Sequence, residues 1–134
     1  MELAVKSLTI ADFMDHDPHA IPHTANIREA VDSLLSAGVL GAPVVDEQQQ
    51  VVGFVSEHDC MKDMLNGSFY QEAPLRVTSV MFSNPVTVDP GTSIIELAEV
   101  MMSGKPKNYP VVKNGKLIGL ISRKHVLKAL LESH

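Results

Sequence analysis

Tryptophan is missing from this 134-residue chain, and aromatic residues make up only 4% of it. Cysteine occurs once, at Cys60, so no internal disulfide can form and a reducing cytoplasm is the natural setting. No stretch approaches the ~18 consecutive apolar residues that span a bilayer, which excludes a membrane helix. The start, Met1-Glu2-Leu3-Ala4-Val5-Lys6, lacks the basic opening, apolar run and small-residue cleavage site of a signal peptide. Glycine-rich phosphate loops are absent. No nucleophile accompanies His58 and Asp59, so no catalytic pair is formed. What is present is 45% hydrophobic and 20% charged, enough for a core at one domain's length.

Net charge is −5, which disfavours broad nucleic-acid binding. The charge is unevenly spread. Residues 1–67 carry 3 basic and 11 acidic side chains, whereas residues 68–134 carry 8 basic and 5 acidic. An anion, or the acidic half of a partner subunit, would favour the second half.

The chain is one unit written twice. With a shift of 67, Met14 meets Met81, Pro18 meets Pro85, Glu29 meets Glu96, and Pro43-Val44-Val45 meets Pro110-Val111-Val112. One residue deleted in the next turn changes the shift to 66, after which Gly53 meets Gly119, Ser56 meets Ser122 and Lys62 meets Lys128. The fold class expected is α/β in the broad sense (α+β): two pseudo-symmetric repeats, each strand-helix-strand-strand-helix, packed sheet to sheet. The repeats are placed at 8–66 and 77–132, with a linker at 67–76.

Within each unit the signals are local. A short extended piece follows Pro18 or Pro85, and Pro85-Val86-Thr87-Val88 reads as the better strand. Asn26 and Ser93 each stand three residues before a Glu, the capping-box spacing. Ile27, Val31, Leu34 and Leu35 form one apolar stripe, and Ile94, Leu97, Ala98, Met101 and Met102 form its counterpart. Gly38 and Gly104 suit left-handed helix ends. A hairpin follows in each copy; in the second, Asn114-Gly115 is a strong two-residue turn. Ser56 and Ser122 are natural caps for closing helices over Glu57–Leu65 and Arg123–Leu131.

The segments Phe13-Met14 with Pro18, Val80-Met81 with Pro85, Ala42-Pro43-Val44-Val45-Asp46 and Tyr109-Pro110-Val111-Val112 then occur in a fixed order, twice. So do Val52-Gly53-Phe54-Val55-Ser56-Glu57-His58-Asp59 and Ile118-Gly119-Leu120-Ile121-Ser122-Arg123-Lys124-His125. This ordered set resembles a tandem pair of CBS (cystathionine beta-synthase) domains, a Bateman module, over roughly residues 8–132. The resemblance implies a regulatory module that is not an enzyme, holding an adenosine-containing ligand in clefts between the repeats. AMP, ADP, ATP, S-adenosylmethionine and NAD-type molecules are the ligand class; no cofactor is obligatory. It further implies a homodimer that signals through its shape or an effector protein.

By the resemblance, Asp59 would bind the ribose hydroxyls and Ser56 the phosphate side. A carboxylate accepts two hydrogen bonds from a vicinal diol, and charge-assisted bonds are the stronger kind. Ser-x-x-Asp is equally a plain helix cap, and both readings stand. Val86, Pro106 and Asn108 match the adenine side, and Lys107 stands where relatives often carry a phosphate-contacting His. The second cleft departs from the pattern: His125 replaces the acid, and a neutral imidazole cannot stand in for a carboxylate on a diol. Ser122 and Arg123 remain there for phosphate, with His19, Val39 and Leu40 as the opposite wall. The clefts are therefore expected to be unequal.

Other features are read plainly. His16, His19 and His23 are loop histidines and not a zinc site, which would want four ligands at defined spacing. Cys60 is a small packing residue. Met101 and Met102 fill the core. Phe69, Tyr70 and Pro74 would cover a cleft or a dimer seam. Two functions of different class follow: an adenosine-nucleotide sensor, or a ligand-free dimeric scaffold that recruits a protein. Nucleic-acid binding through the basic half is a weaker third, opposed by the net acidity.

Overall fold

The computed structural model describes residues 8–67, 73–104 and 106–133. The fold is mixed α+β. Helix α1 spans Ile10–Phe13, strand β1 Ile21–Pro22, helix α2 Ile27–Ala37, strand β2 Gly41–Val45, strand β3 Val51–Ser56 and helix α3 Glu57–Leu65. A 3-10 turn at Val77–Ser79 leads into strand β4, Phe82–Ser83. Helix α4 is Ile94–Met101, strands β5 and β6 are Asn108–Lys113 and Lys116–Ser122, and helix α5 is Arg123–Glu132. Helix α1 and strand β4 add to the element order expected from the sequence. No described helix is long and apolar enough to cross a membrane.

Local chemistry accounts for the element ends. The Asn26 side chain accepts from the Glu29 N–H at 2.9 Å while the Glu29 carboxylate accepts from the Asn26 N–H at 2.9 Å, a full capping box. Ser93 makes only half of one: its hydroxyl accepts from the Glu96 N–H at 3.0 Å. Gly38 ends α2 in the left-handed region, φ 67°, where a glycine has no Cβ to clash. Asn114 and Gly115 both have positive φ, the geometry of a tight hairpin turn matched to strand twist. In the other hairpin, Asp46 Oδ1 accepts from the Gln48 and Gln50 N–H groups at 2.9 Å, a side chain organising a longer turn.

The chain forms two compact units whose borders are not those of the repeats. One holds His19–Pro85; the other joins the described residues up to Pro18 with those from Val86 onward. In the first, the sheet order is β1-β2-β3-β4, with β1 parallel to β2 and the other pairs antiparallel. Its core includes Ile21, Ile27, Leu34, Val44, Val55 and Cys60. In the second, β5 and β6 pair, Asp15 bridges Leu120, and Val88 bridges Val111. Its core includes Ile10, Ile94, Leu97, Tyr109, Val111 and Ile121. The bridges obey the repeat: Asp15 with Leu120 matches Phe82 with Phe54, and Val88 with Val111 matches Ile21 with Val44.

Three expectations are corrected. Pro85–Val88 is not the better strand: only Val88 pairs, because Pro85 and Pro90 bracket the segment and remove donors, while Ile21–Pro22 is the true strand. Leu35 and Met102 are not core residues. Leu35 is exposed beside buried Leu34, and Met102 lies beyond the end of α4, exposed; an apolar stripe wider than the buried face leaves its edge in solvent. Phe69 and Tyr70 lie outside the described residues, and Pro74 is half-buried without regular structure.

Gly53 and Gly119 are buried where a methionine crosses them. A Cβ at 53 would meet only Met81 side-chain atoms; at 119 it would meet Met14 Sδ and, at 2.9 Å, the Asp15 carbonyl oxygen. We expect Gly119→Ala to cost about 1–3 kcal/mol in urea unfolding, with Met14→Ala giving no full relief because the carbonyl remains. Gly53→Ala should cost less in a Met81→Ala background than in the parent. Equal costs in both backgrounds would disprove the steric account. The Tyr109 hydroxyl is buried and makes no hydrogen bond among the described residues; burial pushes its pKa up, and Arg123 pulls against this. Tyr109→Phe should therefore raise stability by about 1 kcal/mol, read in the same unfolding assay.

Candidate functional site

Ser56 ends β3 and Asp59 sits in the first turn of α3, so the strand-to-helix junction itself brings them together. Asp59 Oδ2 accepts from the Ser56 N–H at 3.0 Å and from its hydroxyl at 2.9 Å; the Ser56 hydroxyl oxygen lies 3.1 Å from the Asp59 N–H, which donates to it. The plain-cap reading of Ser-x-x-Asp is thus realised. It is compatible with binding, because all of these carboxylate bonds fall on Oδ2. Oδ1 has no partner among the described residues, and a carboxylate oxygen can accept twice.

Asp59 borders a polar cleft of about 260 Å³ with Lys62, Asp63 and Asn66 of α3 and Ser79 and Val80 of the 3-10 turn. That is below the roughly 300 Å³ at which small-molecule pockets begin, so the cleft admits a sugar or a phosphate and not a whole nucleotide. Lys62, Asn66, Ser79 and Val80 were missed by sequence reasoning. The one available signal was Lys62, repeated as Lys128. Ser79 and Val80 are distant in sequence and reach the cleft only through the chain's return.

The second junction is built the same way with different atoms. His125 Nδ1 accepts from the Ser122 N–H at 2.9 Å and lies 3.0 Å from the Ser122 hydroxyl. With Nδ1 an acceptor, Nε2 carries the proton, so this ring offers a donor where Asp59 offers an acceptor. The junctions are chemically unequal. Arg123 is exposed beside it. Burial, with Lys124 and Lys128 nearby, lowers the His125 pKa from its usual 6.5; Asp15 opposes them.

The remaining expected residues fall within one unit or the other. Val39 and Leu40 lie with Ser56 and Asp59: the Glu57 N–H donates to the Leu40 carbonyl at 2.9 Å. His19 is in that unit too, its Nε2 2.6 Å from the Ser33 hydroxyl. Asn108 is paired across the strands with Ser122, and Pro106 and Lys107 precede it, exposed. Val86 is exposed at the start of that unit's second stretch. The three clustered histidines share no metal-like geometry; His23 goes to Glu47 at 2.9 Å, and no described group of three His, Cys, Asp or Glu side chains could hold a metal. Cys60 is buried, and its pKa is raised by burial and by Asp59 and Asp63, the opposite of a reactive thiol.

Residues 10–66 and 77–132 match the CBS domain. The chain belongs to the CBS-domain family. It is 28% identical to the chloroplastic CBS domain-containing protein CBSX1 of Arabidopsis thaliana, over 92% of this chain and 64% of that protein. It is 31% identical to uncharacterized protein YlbB of Bacillus subtilis, over 84% of this chain and 76% of the other. The chain therefore spans less than two-thirds of CBSX1. Among solved structures, CBSX2 of Arabidopsis thaliana in complex with AMP matches with a TM-score of 0.80 at 28% identity, covering 93% of this chain and 97% of that one. In this CBS pair, the matched segments begin inside α1 and inside the 3-10 turn, so each includes its crossing methionine.

The sign of the His125 effect is set by its lowered pKa. Above the usual 6.5 both folded and unfolded chains hold it neutral, and its stability contribution is intact. As pH falls, the unfolded chain takes the proton first, and stability is lost through the folded-state value. Protonation also removes the Nδ1 acceptor from the Ser122 N–H. Between about pH 7.5 and about pH 5 the melting temperature of the parent should fall more than that of His125→Asn. Parallel melting curves for the two proteins would refute this.

Proposed function

We propose that this CBS pair is a non-catalytic regulatory module that binds an adenosine-containing nucleotide through Asp59. The observation that carries the reading is the Asp59 carboxylate: Oδ2 is spent on Ser56, while Oδ1 has no partner at the edge of a polar cleft with Lys62. Such a group suits a ribose diol. The likeness to a CBS pair solved with AMP supports the ligand class. Ser56 and Lys107 are proposed for the phosphates, and Val86, Pro106 and Asn108 for the base. Ser122, Arg123 and His125, with His19, Val39 and Leu40, form a weaker second set, because His125 presents a donor where ribose needs an acceptor. The nucleotide would act by favouring one shape of a homodimer, to the extent that it binds the two shapes differently, and an effector protein would read the result. The one thiol being buried fits a reducing compartment such as the cytoplasm.

The test is the melting temperature of nucleotide-free protein against AMP, ADP, ATP, S-adenosylmethionine and NAD. A ligand at a hundredfold excess over its dissociation constant stabilises the folded state by ~2.7 kcal/mol. The shift should vanish in Asp59→Asn. Ser93→Ala, which removes a helix cap elsewhere, should lower stability by about 1 kcal/mol and keep the ligand shift; this separates lost capping from lost binding. No shift with any of the five ligands would move the assignment to the partner-recruiting scaffold.

A further inference from the structure

Eleven large hydrophobic side chains stand exposed among the described residues, and six of them belong to the paired helices or their ends. Leu35, Met61 and Leu65 lie in one unit and Met102, Leu127 and Leu131 in the other, all between 56% and 85% exposed. Scattered exposed leucines need no explanation; matched clusters do. These two trios are repeat equivalents. Each accompanies an apolar groove between its unit's two helices. The first groove, about 220 Å³, has Leu34, Cys60 and Met64 in its walls. The second, about 410 Å³, has Met101, Val126 and Leu130 at the same repeat positions.

The grooves differ in charge. Glu57 stands at the rim of the first, and its repeat equivalent, Arg123, at the rim of the second. The helices behind them follow suit. Helix α3 carries Glu57, Asp59 and Asp63 against Lys62, whereas α5 carries Arg123, Lys124 and Lys128 against Glu132. Two apolar faces of one design thus bear opposite charge.

We propose that the helix face of repeat 1 docks on the helix face of repeat 2 in a second copy of this chain, forming an antiparallel pair with Glu57 of each copy against Arg123 of the other. Two copies carry two faces of each kind, so one pair leaves neither face uncovered. A like-on-like pair would set Glu57 against Glu57 and Arg123 against Arg123, and like charges across an interface are strongly unfavourable. An anionic membrane is a poor occupant for the first face, whose helix is net acidic. The pairing is independent of the nucleotide reading and is tested without nucleotide.

The experiment measures mass by light scattering over a dilution series of the full chain, with two sets of variants. Glu57→Lys and Arg123→Glu should each weaken association about tenfold or more, and the double variant should restore it. For the second set, Met61→Cys protein is mixed with Leu127→Cys protein and oxidised. Disulfide-linked dimers should form in the mixture and not from either variant alone. These cysteines replace exposed side chains, so this arm survives even if a charge reversal impairs folding. A monomer at every concentration would overturn the proposal, as would charge reversals without effect. Homodimers trapped from each cysteine variant alone, or binding to anionic vesicles in place of self-association, would do so equally.

Discussion

Gly53 and Gly119 occupy equivalent places in β3 and β6, and at each a methionine sulfur lies where a side chain would begin. The methionine comes from the wrong repeat in both cases. Met81 belongs by sequence to the second copy yet packs on the strand of the first, and Met14 does the reverse. The rest of the architecture depends on this exchange. It carries β4 onto β3 and Asp15 onto Leu120, and it makes each compact unit out of one repeat's body and the other repeat's leading segment. Only glycine permits the close approach, because any Cβ there would require the crossing segment to withdraw.

The same exchange shapes the candidate site. Ser79 and Val80, from the segment that returns toward the first repeat, wall the cleft beside Asp59. Without that return, α3 would present Asp59 and Lys62 on an open helix surface. A single local motif therefore serves two ends. Ser56 and Asp59 cap α3, and the capping bonds hold the carboxylate in place while leaving one oxygen to accept. At the other junction His125 performs the capping with a nitrogen, which keeps the fold but reverses the polarity of what remains. Fold and binding chemistry have separated at one residue.

Much of this was legible in the residues. The repeat was visible because equivalent positions face equal constraints: glycines at close approaches, prolines entering the strands, serines at helix starts. The closing helix Glu57–Leu65 and the Asn114-Gly115 turn were predictable because caps and turns are settled within a few residues. Less was legible where a position's fate depends on distant chain. The periodicity that placed Leu35 and Met102 on an apolar stripe could not tell the buried part of that stripe from its exposed edge. The extended bias of Pro85–Val88 could not reveal that only one residue would find a pairing partner. Ser79 and Val80 carry no local mark of belonging to a cleft.

Sequence alone determined the duplicated unit, its helix caps, its hairpins, the loss of the acid at His125 and the opposite charge of α3 and α5. All of these are set by residue type and short spacing, where local hydrogen bonding and charge decide the outcome. Tertiary structure decided which body each leading segment joins, which hydrophobic residues stay exposed, and which oxygen of Asp59 has no partner. Those depend on long-range packing, where the cost of ordering distant segments must be met by contacts that no window of sequence contains.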